Sequence, residues 1–283
     1  MAGRFRKHLT PFTRRSALLS LGGLPLLPAA RAAGRDAFAL IGDRYHNSDY
    51  IRVGLGKTLG ADLGIGIDFC DETRELNSDT LKKRKLLIML RDGMTWPGGY
   101  PDESTNAGYV STGKPTIVSD PALPKWEGKP HYWITPEQGR AVRQFAHNGG
   151  GVLFLHNVTY ISPHNDDFKD VLGCVTEGHP PIRKFKVKVV NKEHPITRGV
   201  SDFVVTDEQH YVKYSKDPKH LLLESVNEEG LDYKKLGPKS AAGWAYDYGK
   251  GRVAYLAPGH MLTALWNPEY VKLQQNAAKW LLR

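Results

Sequence analysis

The run Gly149-Gly150-Gly151-Val152-Leu153-Phe154-Leu155-His156 constrains this chain more than any other segment. Glycines mark a turn, four consecutive apolar residues follow, and a histidine ends the run. An unbroken apolar stretch of this kind reads as a strand covered on both faces, the habit of a parallel sheet. Three earlier runs fit beside it: FALIG at 38–42, IGIDFC at 65–70 and KLLIML at 85–90. Between the first two, Ile51, Leu55 and Leu59 recur at helical spacing, which predicts a helix over 50–63. Strand, helix, strand, short helix, strand is the rhythm of an α/β fold with a mostly parallel central sheet flanked by helices.

Thr135-Pro136-Glu137-Gln138 predicts a helix start, with Thr as N-cap, Pro in the first turn and Gln three residues after the cap. That helix runs to about His147, and a small one is expected at 168–172. The pattern then turns β-rich: FKVKVV alternates, HLLLES reads as a strand, and 242–246 with 252–256 flank DYGKG as a hairpin. An amphipathic helix over 267–282 closes the chain. Residues 91–134 show no periodicity and are rich in Gly, Pro, Asp and aromatics, as in a lid or binding loop inserted in a domain, or else a linker. One domain over 35–283 carrying that insertion is the expected organisation.

The first 32 residues combine a basic start, a short apolar stretch from Ala17 to Leu27 and an Ala30-Arg31-Ala32 cleavage-type site, the layout of an export signal. Thr13-Arg14-Arg15-Ser16-Ala17-Leu18-Leu19 resembles the twin-arginine signal, which predicts a bacterial periplasmic or secreted protein. The apolar stretch is too short for an ordinary membrane span, so no stable span is expected. Six of the 39 Lys and Arg residues and none of the 30 Asp and Glu fall in this segment, leaving 33 − 30 = +3. A nucleic-acid partner is therefore not expected. Cys70 and Cys174 make no disulfide framework, although they could pair after export.

Ligands of open α/β sheets bind beyond the carboxyl ends of the parallel strands. His46 follows the first strand, Arg91-Asp92 the third, His156 the Gly-rich strand and His260 the late run RVAYLAPGH. A single such histidine is commonly a structural cap, but three at one predicted edge point equally to a site. Asp207-Glu208 reads either as a water-facing turn or as carboxylates that orient a histidine, with His210 beside them. His194 reads as a turn residue, and His131, His147 and His220 have no telling neighbours. Trp96, Trp126, Trp133 and Trp266 lie in loops or at element ends, as core plugs or as flat faces for a sugar ring. Nucleophile elbows, nucleotide-phosphate loops, C-x-x-C and H-E-x-x-H are absent from the sequence. A divalent metal held by His46, His156 and His260 is the one cofactor left open.

Taken together, IGDRYHNSDYIRVGLGKTL, FAHNGGGVLFLHN, NKEHPITRGVSDFVVTDEQHY and AGWAYDYGKGRVAYLAPGHMLTALWNPEYVKLQQNAAKWL resemble the ThuA-like (trehalose utilisation) family. The resemblance implies a class I glutamine amidotransferase-like fold, a flavodoxin-like three-layer sandwich. In that fold the turn after the Gly-rich strand carries a nucleophilic cysteine; His156 stands there instead, which removes glutamine hydrolysis through a thioester. The family's link to sugar metabolism, including 3-keto-glycosides, implies a small sugar substrate. On the placement of residues at the strand ends, His156, His260, Asp207 and Glu208 are the candidate catalytic groups, with His46, Arg91, Asp92, Trp96, His210 and Trp266 expected to hold substrate. A sugar-binding accessory protein without catalysis is the alternative. Two departures stand out: His210 replaces the family's usual Tyr, and the 91–134 insertion is long and aromatic.

Overall fold

The computed structural model describes residues 36–97, 120–121 and 129–283. The export-type segment 1–32, Trp126 and most of the 91–134 insertion lie outside the described residues. The apolar runs become strands β1 (Ala37–Ile41), β2 (Ile67–Cys70) and β3 (Leu86–Leu90). At the two ends of the insertion, β4 (Met94–Thr95) pairs antiparallel with β5 (His131–Tyr132), so the insertion leaves and rejoins the fold at one point. The Gly-rich run is β6 (Gly151–Leu155), and every residue of β1, β3 and β6 is buried. Their lack of polar alternation follows from that two-sided burial.

Helix α1 (Ser48–Leu55) is capped by the Asn47 side chain and continues into a wider π-type turn over Gly56–Ala61. Ile51, Leu55 and Leu59 form its fully buried stripe. A short α2 (Ser78–Leu81) precedes β3. The expected capping box opens α3 (Pro136–His147): Thr135 accepts from the Gln138 backbone N–H while the Gln138 side chain accepts from that of Thr135. After α4 (Asp166–Leu172) come β7 (Cys174–Gly178), β8 (Arg183–Val189), β9 (Phe203–Asp207), β10 (Tyr211–Tyr214) and β11 (Leu221–Val226). The hairpin is β12 (Lys239–Tyr248) and β13 (Gly251–Leu256), followed by α5 (Leu262–Leu265) and α6 (Pro268–Leu281).

Among the described residues, the main sheet has nine strands in the order β2-β1-β3-β6-β13-β12-β11-β8-β9. From β2 to β13 all pairings are parallel, and from β13 to β9 all are antiparallel. Two antiparallel steps restore direction, so β11 and β9 point the same way as the five parallel strands. Seven of the nine strands thus share one orientation, and the carboxyl end of β9 faces the same edge as those of β1, β3, β6 and β13.

Direction alone does not bring the ends together, since β9 lies four strands from β13. In a flat sheet that is ~19 Å at 4.7–4.9 Å per strand. Asp207 at the end of β9 nevertheless accepts hydrogen bonds from the N–H groups of Gly259, His260 and Met261, which follow β13, at 3.2–3.3 Å. The antiparallel half must curl to allow this contact. The register shifts between β11 and β12 at Leu221/Leu223 and Leu223/Glu224 are where bulges supply such a bend.

A separate ladder pairs β7 with β10, two strands that the sequence pattern does not predict. Tyr211 pairs with Gly178, so the flanking residues His210 and His179 stand side by side at the end of that ladder. Cys70 and Cys174 are both free thiols.

Candidate functional site

At the end of β6 the chain turns sharply. His156 takes φ 51°, in the left-handed region that a residue with a Cβ rarely adopts, and opens the 3-10 turn His156–Tyr160. Such backbone costs on the order of 1–3 kcal/mol and persists where its surroundings dictate it. Here the surroundings are explicit. The His156 carbonyl accepts from the Tyr255 hydroxyl at 2.9 Å, and its ring Nδ1 lies 2.9 Å from the Ala257 carbonyl oxygen. A carbonyl only accepts, so the proton sits on Nδ1 and the Nε2 lone pair points inward. Close packing comes from Gly259: a Cβ there would stand 2.7 Å from the His156 Cβ.

His46 is fixed by a residue the sequence reading passed over. Asp43 Oδ1 accepts from the backbone N–H groups of Tyr45 and His46 and lies 2.8 Å from His46 Nδ1. Its Oδ2 accepts from the Asp92 backbone N–H at 3.0 Å and from Asn157 Nδ2 at 2.8 Å. Burial alone would raise the Asp43 carboxyl, but the adjacent His46 ring outweighs it and the carboxyl sits below its ordinary value. Asn157 Nδ2 also lies 2.8 Å from His46 Nδ1. An unprotonated Nδ1 would set its lone pair against both Asp43 oxygens, so the proton sits on Nδ1 and His46, like His156, presents a bare Nε2. Burial lowers the pKa of His46.

Asp207 and Glu208 do not face water: they are 0% and 8% exposed. That corrects the water-facing reading, and the cause is the curled sheet, which turns the end of β9 inward. Asp207 spends its oxygens on backbone N–H groups, those of Glu208, Gly259, His260 and Met261. It therefore positions the His260 loop, while the carboxylate that orients a histidine ring is Asp43. Glu208 reaches the cluster itself. Its Oε1 lies 3.3 Å from His260 Nδ1 and its Oε2 lies 3.3 Å from His156 Nε2. Burial would raise Glu208, yet the rings of His156, His210 and His260 around it hold it ionised, well below the usual carboxylate range. Glu208 in turn raises His156 despite its burial, so the ring can take a second proton on Nε2, which a bound cation would displace.

Four separate segments thus deliver donors to one point. His46 Nε2 is 3.1 Å from His156 Nε2 and 3.0 Å from His260 Nδ1. His46, His156, Glu208 and His260 each place a ligand-type atom within 4.8 Å of the others. Metal–nitrogen bonds of 2.0–2.1 Å imply donor–donor separations of roughly 2.9–3.4 Å in octahedral or tetrahedral sites. The observed 3.0–3.3 Å falls in that range, with the lone pairs of His46 and His156 aimed inward. The donor set fits a divalent cation.

His210, 1% exposed, sits against His156 with ring centroids 4.4 Å apart and stacks on His179 at 5.0 Å. Burial drives His210 well below the usual histidine range. His179 escaped the sequence reading, because only the pairing of β7 with β10 places it here. Asp43 had a signal, an acid directly after the first strand and three residues before a histidine.

The remaining candidates are placed as follows. Arg91 is buried and its Nη1 donates to the backbone carbonyls of Ile41, Gly42 and Asp71, so it ties strand ends together. Asp92 accepts from the Met94 N–H, and its backbone carbonyl accepts from Trp133 Nε1. Its carboxyl is pushed up to about 7 by burial and by the Asp43 charge. Trp96 lies 4.5 Å beneath the Arg44 guanidinium in the loop that carries His46. Trp266 ends α5 and is 38% exposed. His194 packs edge-on against Trp280, with ring centroids 5.2 Å apart.

A family model for trehalose utilisation, ThuA, matches residues 41–281. Among solved structures, a ThuA-like protein from Bacteroides uniformis ATCC 8492 superposes with a TM-score of 0.58 at 19% identity, covering 92% of this chain and 95% of that one. A ThuA-like protein from Parabacteroides merdae ATCC 43184 gives 0.59 at 15% identity, over 87% and 89% of the two chains. A β-galactosidase from Rahnella sp. R3 gives 0.50 at 14% identity, over 88% of this chain and 31% of that one. At such identities these likenesses speak for the fold alone. No curated protein matches the sequence. With the model match spanning the strands and loops that build the histidine cluster, the chain belongs to the ThuA, trehalose utilisation, family.

Proposed function

We propose that this chain is a periplasmic enzyme acting on a sugar, in particular on a glycoside that carries a keto group near its glycosidic carbon. One observation carries the reading: three imidazole nitrogens and the Glu208 carboxylate converge at 3.0–3.3 Å, with the ring protons of His46 and His156 fixed outward. A divalent ion bound by those groups would polarise a carbonyl oxygen.

The residues of the chain supply the rest. Asp43 and the Ala257 carbonyl hold the two buried rings in one tautomer, and Asp207 fixes the backbone of His260. Burial keeps water from His46 and His156, while His260, with 17% of its side chain exposed, opens the cluster to a substrate. A carbonyl held there makes the proton on the adjoining carbon acidic. Removing that proton, forming the carbon–carbon double bond and releasing the glycosidic oxygen with a returned proton is balanced acid–base chemistry that needs no oxidant. Trp96 and Trp266 offer flat faces for a sugar ring.

Turnover of disaccharides and their 3-keto derivatives, followed by mass spectrometry with and without a chelator, tests this reading. Products formed by the wild type and lost in both His156→Ala and His260→Ala are expected. Saturable sugar binding with no product from any compound would make the chain an accessory binding protein. The twin-arginine-type segment supports export. Sequencing the mature N-terminus from a periplasmic fraction should find it near Ala33, and an intact N-terminus in the cytoplasm would refute export.

A further inference from the structure

Glu208 has neighbours beyond the cluster that the proposed chemistry uses. On its Oε2 side, His210 Nε2 stands at 3.5 Å and His179 Nε2 at 3.6 Å. Both separations exceed the ~2.7–3.2 Å of a good hydrogen bond. They lie within about 0.2 Å of the ligand–ligand edge around a tetrahedral ion with 2.0–2.1 Å bonds. His179 Nδ1 is 2.9 Å from the Pro180 carbonyl oxygen, which places its proton there and leaves Nε2 as a lone pair facing a carboxylate. His210 Nε2 is buried and makes no hydrogen bond, an arrangement costly for a polar atom unless something binds it. The three groups have their ligand-type atoms within 4.8 Å of one another.

A lone pair aimed at a carboxylate, as at His179, is repulsive, and the buried His210 nitrogen has lost water and gained only the distant Glu208 carboxylate at 3.5 Å. A cation between them removes both penalties. We propose that His179, His210 and Glu208 Oε2 form a second divalent-cation site, bridged by Glu208 to the one formed by His46, His156 and His260. The inference rests on the reading of that first group as a metal centre.

Three protein ligands leave coordination positions open, as in catalytic rather than structural zinc sites. His179, with 26% of its side chain exposed, lies on the accessible side, and the Tyr160 ring stands edge-on to it at 5.9 Å. A carboxylate bridge holds paired ions about 3.5–4 Å apart, the spacing at which two metals clamp one substrate. The ligand class is therefore an oxygen-rich substrate able to span both ions, such as a sugar presenting a carbonyl and an adjoining hydroxyl.

The test is metal stoichiometry on the full chain, loaded with zinc, dialysed and measured by mass spectrometry, with manganese loading read by electron paramagnetic resonance. Two zinc equivalents and a spin-coupled manganese signal are expected in the wild type. His179→Ala, at a partly exposed position, should retain one equivalent and lose the coupling. His210→Phe fills the buried space and should do the same. One equivalent in the wild type, or two in His179→Ala, would overturn the second site, as would no bound metal at all. Turnover of a 3-keto-glycoside with a single ion would spare the functional reading while removing this inference. Two ions without turnover on any sugar would do the reverse.

Discussion

His46 Nε2 and His156 Nε2 face each other at 3.1 Å, and with both rings neutral neither has a proton to offer the other. Asp43 holds the first ring by its Nδ1 and the Ala257 carbonyl holds the second. Two lone pairs at this range in a buried setting repel, so a cation between them is bound strongly. Metal removal is therefore predicted to destabilise the fold, since an ion bound to the native state alone adds about 2.7 kcal/mol at a hundredfold excess over its Kd. Thermal melts of chelated protein, with and without added zinc, check this. An identical midpoint in both would sink the idea.

The Asp43 carboxylate is the grip on His46, and the orienting partners of metal-bound histidines typically change affinity 10–100-fold when replaced. Asp43→Asn is predicted to weaken zinc binding by that range, because an amide is a poorer acceptor for the ring proton. Competition with a chromogenic chelator measures the constant. Affinity equal to the wild type would show that the ring holds its orientation without Asp43.

Gly259 has no room for a side chain, since a Cβ would lie 2.7 Å from His156 Cβ and 3.2 Å from its Cγ. Gly259→Ala should push the His156 ring out of line while leaving the sheet intact. A displacement near 1 Å at a reacting centre costs about 100-fold in rate. The predicted outcome is a loss of that order in turnover with an unchanged circular dichroism spectrum. Full activity would mean that His156 does not need its observed position.

Much of this site was legible in the sequence, for reasons that can be stated. Strands β1, β3 and β6 announce themselves because burial on both faces removes every polar residue from them, and the edge rule then places His46 and His156. The capping box at Thr135 is written in adjacent residues and needs no tertiary knowledge. His179 and the inward turn of Glu208 could not be read, because they depend on the curl of the antiparallel half and on the pairing of Tyr211 with Gly178. Arg91 was misleading for another reason: an arginine at a strand end looks like a ligand clamp, while three backbone carbonyls claim its guanidinium. Asp207 had the right address but a different duty, since its oxygens meet main-chain N–H groups instead of a ring.

That duty yields a prediction of its own. Hydrogen bonds from backbone N–H groups to an ionised acceptor are worth about 1.5–3 kcal/mol. Asp207→Asn keeps the shape but replaces one acceptor oxygen by an NH2 group that opposes the N–H donors of the His260 loop. A stability loss of about 2–3 kcal/mol is expected, together with reduced turnover from a misplaced His260. Urea denaturation gives the first number. A loss below 0.5 kcal/mol would mean that the loop holds its shape without the carboxylate.

Asp92 makes stability depend on pH in an unusual direction. Burial, and then the charge on Asp43, push its carboxyl from 3.8 up to about 7. The folded state therefore holds a proton that the unfolded chain releases near pH 4. The stabilisation linked to that proton is fully present below pH 4 and is lost as pH rises through 7. A carboxyl raised this far corresponds to about 4 kcal/mol between the two limits, an upper figure for a group so near other charges. Asp92→Asn keeps an acceptor for the Met94 N–H and removes the titration. Urea denaturation of both proteins between pH 5 and 8 should show the wild type weakening relative to the variant as pH rises. Curves that stay parallel across that window would place the Asp92 carboxyl in its ordinary range and remove Asp43 as its antagonist.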